Sequence, residues 1–86
     1  MNSDELRKHV FEVLHRTAPE ADLNGLDPTQ SLREALDIDS FDFLSVLIAL
    51  HEKLGVEIPE SDYRRVSTLN GLLDYLLAKI TLTGTR

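Results

Sequence analysis

Apolar residues recur along this chain at helical intervals. Leu6, Val10, Val13, Leu14 and Thr17 keep a spacing of about 3.6 residues, which lays one apolar stripe along a first helix, with Phe11 beside it. Ser3 is the expected cap of that helix, Asp4 and Glu5 suit its first turn, and Pro19 ends it. A second helix is expected from Ser40 to Leu54, with Gly55 as a left-handed stop. Pro59 disfavours helix before it, so Val56-Glu57-Ile58 reads as extended, and Pro59 itself suits the first position of a short third helix reaching about Arg65. Ser67 or Thr68 then caps a last helix, whose buried stripe is Leu69, Leu72, Leu73, Leu76, Leu77 and Ile80. Gly71 inside it costs about 1 kcal/mol against Ala, a cost that close packing on a neighbour would explain.

Between the first two helices, residues 20–38 show no clean period. Asn24-Gly25 and Asp27-Pro28 are turn signals, yet Leu23, Leu26, Leu32, Leu36 and Ile38 are interspersed. A loop of this length in a small domain is uncommon, and its leucines predict that it lies across the helices and plugs the core. Ser31-Leu32-Arg33-Glu34 suits one helical turn, with Ser31 capping and Glu34 three residues on. The expectation is an all-α, four-helix bundle with a long first loop and a short third helix. It forms one domain over residues 1–86, ordered from about 3 to 80 with a frayed tail from Thr81 to Arg86.

The second helix has more apolar residues than one buried face needs. Phe43, Val46, Leu47, Leu50 and Leu54 form the core stripe. Phe41, Leu44 and Ile48 form another, flanked by Ser45, His51 and Glu52. Two readings are open: the long loop covers this second stripe, or it is a partner surface ringed by polar groups. At the start of the same helix, Asp39 and Ser40 are both good caps, and Asp42 favours the positive end of the helix dipole.

Charge sharpens the picture. Nine Lys and Arg face fifteen Asp and Glu, and the excess is concentrated in the middle of the chain. Glu34, Asp37, Asp39, Asp42, Glu52, Glu57, Glu60 and Asp62 share that region with one base, Lys53. Such a field draws basic partners and repels nucleic-acid phosphates, but composition alone favours a solvated acidic surface kept for solubility. No stretch approaches the roughly 20 consecutive apolar residues of a membrane span, and Met1-Asn2-Ser3-Asp4-Glu5 is unlike a signal peptide. With no cysteine either, a cytoplasmic, soluble monomer is the expectation.

Catalytic and metal chemistries lack their usual supports. Asp37-x-Asp39 starts like a calcium loop, but Asp42 stands where glycine is needed and Ile48 where glutamate is needed. His9, His15 and His51 have no metal-ligand spacing. Nothing local places a histidine beside Ser40, no glycine elbow surrounds it, and no glycine-rich phosphate loop occurs.

The stretch Ile38-Asp39-Ser40-Phe41-Asp42-Phe43-Leu44 resembles the phosphopantetheine-attachment motif of acyl carrier proteins, usually Asp-Ser-Leu before a hydrophobic helix. The resemblance continues through Ala49-Leu50-His51-Glu52-Lys53-Leu54, Glu57-Ile58-Pro59-Glu60, Ser67-Thr68-Leu69 and Leu73-Asp74-Tyr75-Leu76. It covers about residues 5–80. It implies a four-helix carrier that is not an enzyme, with 4'-phosphopantetheine from coenzyme A joined to Ser40 by a phosphopantetheinyl transferase, and Asp39 beside the attachment point. It further implies that acyl groups ride as thioesters on the arm's thiol, delivered to acyl-transferring or acyl-activating enzymes of fatty-acid, polyketide or specialised lipid pathways. The second stripe then becomes the docking face, made of Phe41, Asp42, Leu44, Ser45, Ile48 and Glu52. Phe41 departs from the usual leucine, and Ser45, His51 and Lys53 stand where fatty-acid carriers often have glutamates. These departures point to a freestanding carrier dedicated to one pathway. Two alternatives share parts of the evidence: an aminoacyl or peptidyl carrier of a nonribosomal peptide or D-alanine system, and a helical interaction module without a prosthetic group.

Overall fold

The elements follow the apolar periodicity closely in a computed structural model that describes residues 2–83. Helix α1 spans Ser3–Thr17, α2 is a single turn at Leu32–Ala35, α3 spans Ser40–Leu54, a 3-10 helix spans Glu60–Val66, and α4 spans Leu69–Thr83. The chain is an all-α bundle with a long loop before α2 and a short helix before α4. Packing supplies most of the stability of helices this short. Helix α1 packs on both α3 and α4, the 3-10 helix packs on α4, and α2 packs on α3.

Local chemistry sets the ends. Asn2, not Ser3, caps α1: its side-chain oxygen accepts from the Glu5 amide at 2.9 Å. Either residue type can cap, so the two neighbouring candidates differed only in which backbone was extended. The Asp39 carboxylate caps α3, accepting from the Asp42 amide at 2.9 Å, which leaves Ser40 as the first helical residue. Gly55 closes α3 at φ +71°, a left-handed conformation that costs glycine nothing. Pro59 stays outside the short helix as its extended N-cap (ψ 154°), and that helix is 3-10 rather than α. Thr68 caps α4, its hydroxyl accepting from the Gly71 amide at 3.0 Å. Helix α4 continues through Thr83 and so takes in the first three residues of the expected tail; residues 84–86 of that tail lie outside the described residues.

The core is one cluster of leucine and valine with two aromatic rings. Leu6, Val10 and Leu14 of α1 meet Val46 and Leu50 of α3 and Leu69, Leu72 and Leu76 of α4, all of them buried. The loop contributes as its leucines predicted. Leu32 and Leu36 are buried, and Leu23, Leu26 and Ile38 are packed against the cluster. Two backbone bonds tie the loop to the far end of the domain. The Leu32 amide donates to the Ser67 carbonyl at 2.7 Å, and the Asn70 amide donates to the Pro28 carbonyl at 3.0 Å. Ser31 and Thr68 form an isolated antiparallel bridge at the same place.

Gly71 is explained by its surroundings. A Cβ there would run into the carbonyl oxygen of Arg65, so the end of the 3-10 helix lies directly on α4. Tyr75 pins the same junction from inside: it is buried, and its hydroxyl donates to Asp62 at 2.6 Å. Burial, with the Asp62 hydrogen bond adding to it, pushes the Tyr75 phenol up to about 12.

Candidate functional site

The long loop does not cover the second stripe of α3. Phe41 is 79% exposed, Ile48 52% and Leu44 37%, while Phe43, Val46, Leu47 and Leu50 on the opposite side are buried. Phe41, Leu44 or Ser45, Ile48 and Glu52 succeed one another at intervals of three or four residues, so they share one side of the helix. Ser45 and Glu52 are exposed with them, and Asp42 is exposed in the first turn. The sequence-expected residues therefore come together as one strip, an apolar ridge running down from Ser40 with polar flanks. Lys53 does not belong to it. Its ammonium faces α1, where it meets Glu12 at 3.0 Å and holds that carboxylate below its usual range.

Ser40 stands at the head of the strip. Its side chain is exposed, and no hydrogen bond among the described residues engages its hydroxyl. The first amides of α3 lie beside it, and the positive end of the helix dipole favours an anion there. Asp39, the residue before Ser40, has its carboxylate engaged in the capping bond to the Asp42 amide.

A cavity of about 430 Å³ opens beside Ser40. Phe41, Phe43 and Leu44 of α3 line one wall, Arg33 of α2 another, and Tyr63 and Arg64 of the 3-10 helix a third. Sequence reasoning did not single out Arg33, Tyr63 or Arg64 for the site. They lie on three elements that only the folded chain brings together, and no period or spacing joins them to Ser40.

Among the described residues, no group of three or more His, Asp or Glu is placed to hold a metal ion. No helix among them is long and apolar enough to cross a membrane.

An exposed serine opening a long helix, an apolar ridge behind it and a short helix walling a side cavity fit a carrier fold. Comparison with known proteins agrees. The model of the phosphopantetheine attachment site family matches residues 4–76. The chain is similar to the acyl carrier protein of Thermosynechococcus vestitus, 31% identical over 93% of this chain and 98% of that one. It is 28% identical to the acyl carrier protein of Acidothermus cellulolyticus, over 88% and 89% of the two chains. The mitochondrial acyl carrier protein of Neurospora crassa is 24% identical over 92% of this chain and 59% of its own length. The chain belongs to the phosphopantetheine-binding carrier family. It is a non-catalytic carrier, and its cofactor is covalently attached phosphopantetheine. A free hydroxyl with room beside it suits that group, and Ser40 offers both.

Proposed function

We propose that Ser40 carries the arm and that the chain is a cytoplasmic, monomeric acyl carrier. The observation that carries this reading is the unengaged Ser40 hydroxyl at the first position of α3, inside the matched residues 4–76 and open to the cavity. Ser3 holds the same position in α1, but it falls outside the matched residues. In the attachment step the Ser40 oxygen bonds to the pantetheine-side phosphorus of coenzyme A. The bond between the two phosphates breaks and adenosine bisphosphate leaves. The serine proton passes to a base that the transferase supplies. When bound, the arm supplies a terminal thiol on which acyl groups travel as thioesters. The chain's own part is to hold the hydroxyl in solvent, to place α3 amides and its dipole by the new phosphodiester, and to present a surface to successive enzymes. Tethering then raises the effective concentration of cargo at each docked partner.

The docking surface is the strip of Phe41, Asp42, Leu44, Ser45, Ile48 and Glu52. Exposed apolar residues ringed by polar ones are the usual mark of a protein-binding patch. Its partners are the phosphopantetheinyl transferase and the acyl-transferring or acyl-activating enzymes of a fatty-acid, polyketide or specialised lipid pathway. The acyl carrier proteins to which the chain is similar support acyl over aminoacyl cargo. The test is intact mass after incubation with coenzyme A and a broad-specificity transferase. Wild type gains one arm. Ser40→Ala gains none and stays folded, since Asp39 still caps α3. An arm on Ser40→Ala, or fragmentation placing the arm at Ser45, would refute the assignment.

A further inference from the structure

The cavity beside Ser40 differs in charge from the rest of the surface. The chain carries six more acids than bases. Each of four other surface depressions has at least one carboxylate on its wall, such as Asp22 beside α1 or Glu57 after Gly55. The cavity at Ser40 has none. Its ionisable groups are two guanidinium groups, Arg33 and Arg64, with Tyr63.

Neither arginine is engaged elsewhere. Both are exposed, and neither side chain enters an ion pair among the described residues. Next to Arg64, Arg65 takes the nearby acid and ring instead: it lies 3.9 Å from Asp62 and over the Tyr75 ring. The backbones that carry the two arginines are held together, because the bond from the Leu32 amide to the Ser67 carbonyl fastens the start of α2 to the end of the 3-10 helix. Phe41, Phe43 and Leu44 give the cavity its apolar wall, and the hydroxyl residues Ser31, Ser40 and Ser67 complete the lining. Guanidinium groups recognise phosphate and carboxylate oxygens through paired N–H donors, and they do so better at the edge of an apolar, partly dehydrated space.

We propose that Arg33 and Arg64 form an oxyanion-binding pair at the mouth of this cavity, which takes an oxyanion carried by the arm on Ser40. Two sources offer that chemistry: the phosphodiester that joins the arm to Ser40, and a carboxylate at the far end of an acyl cargo folded back into the cavity. The first starts one bond from a residue that lines the cavity. The second would make this chain selective for half-thioesters of dicarboxylic acids. The inference rests on attachment at Ser40, so modification is read by intact mass in every sample. Failure to gain the arm counts against the attachment reading. Failure of the signals below in fully modified protein counts against the arginine pair.

The test uses nuclear magnetic resonance on the full chain. The phosphorus signal of the unloaded modified protein is compared between wild type and the Arg33→Gln, Arg64→Gln double variant. The side-chain N–H signals of both arginines are compared between chains loaded with pentanoyl and with glutaryl groups, which differ by the terminal carboxylate. A phosphorus signal displaced in the double variant assigns the pair to the phosphodiester. Arginine N–H signals displaced, with proton exchange slowed severalfold, under glutaryl and not under pentanoyl assign it to cargo carboxylate. A phosphorus signal and arginine signals that stay put in all samples overturn the proposal. An unchanged melting temperature of the double variant shows that the comparison is not one of unfolding.

Discussion

Truncating residues on opposite sides of α3 should separate stability from recognition. Leu50 is fully buried and Val46 beside it likewise, so Leu50→Ala loses transfer energy and leaves a cavity, costing about 2–5 kcal/mol. For a domain of 86 residues, total stability is roughly 4–13 kcal/mol at about 0.05–0.15 kcal/mol per residue. At about 4–8 °C per kcal/mol, the melting temperature of Leu50→Ala should fall by roughly 8–40 °C. Ile48 is 52% exposed, so about half of the roughly 1.5–3 kcal/mol for complete burial is at stake. Alanine's higher helix propensity returns a few tenths of a kcal/mol, leaving a net loss near or below about 1 kcal/mol. Phe41 is 79% exposed, and the same arithmetic comes out near zero. If the strip meets the transferase, losing either exposed side chain removes about 1–2 kcal/mol of binding, a fall in kcat/KM of roughly 5- to 30-fold. Thermal melts followed by circular dichroism, with transferase rates by mass spectrometry at 20 °C on the same variants, give both quantities. Phe41→Ala and Ile48→Ala melting as early as Leu50→Ala would mean that the stripe is buried in solution. Normal melts with normal transferase rates would place the docking surface elsewhere.

Other outcomes follow from single contacts. Gly71→Ala should lower the melting temperature although alanine is better in helices by about 1 kcal/mol, because overpacking against a backbone carbonyl costs about 1–3 kcal/mol; a raised melting temperature would refute the contact with Arg65. The Tyr75 phenol titrates near 12 when folded and near 10 when unfolded, so its contribution is complete below pH 10 and is lost as pH rises from there towards 12. The melting temperature of wild type should therefore fall more steeply than that of Tyr75→Phe across that window, and parallel profiles would sink the assignment. Charge reversal at Asp42 and Glu52 together should slow arm attachment more than reversal at Glu20, and added salt should shrink the difference, since steering charges act through a screened field.

The sequence carried α3 to the residue because its signals are local: a carboxylate before the first turn, an uninterrupted apolar run, and a glycine free to turn left-handed. Signals of equal strength on neighbouring residues were not resolved, hence Ser3 for Asn2 as the α1 cap. Pro59 was expected inside the short helix because proline's ring-fixed φ suits a first helical position; its ψ of 154° is extended, so it stands as the N-cap just outside. Ser40 and its strip were legible since they lie on one helix with one period. Whether loop or solvent covered Phe41 was not, because the path of residues 20–38 depends on which leucines win places in the core. Arg33, Tyr63 and Arg64 join the site through the bond between Leu32 and Ser67, which no pattern along the chain announces.

The two bonds that tie the loop to the far end of the domain divide it into parts with different freedom to vary in length. Around Asn24 and Gly25 the chain is exposed, and its amides are served by Asp22 close at hand, so added residues there can bulge into solvent. From Pro28 to Leu32 the spacing is dictated by Asn70 and Ser67 across the fold, and one inserted residue would shift one bond or the other out of register. A reporter or tether spliced into this carrier therefore belongs in the first part. In the second it would pull α2, and with it one wall of the cavity, away from Ser40.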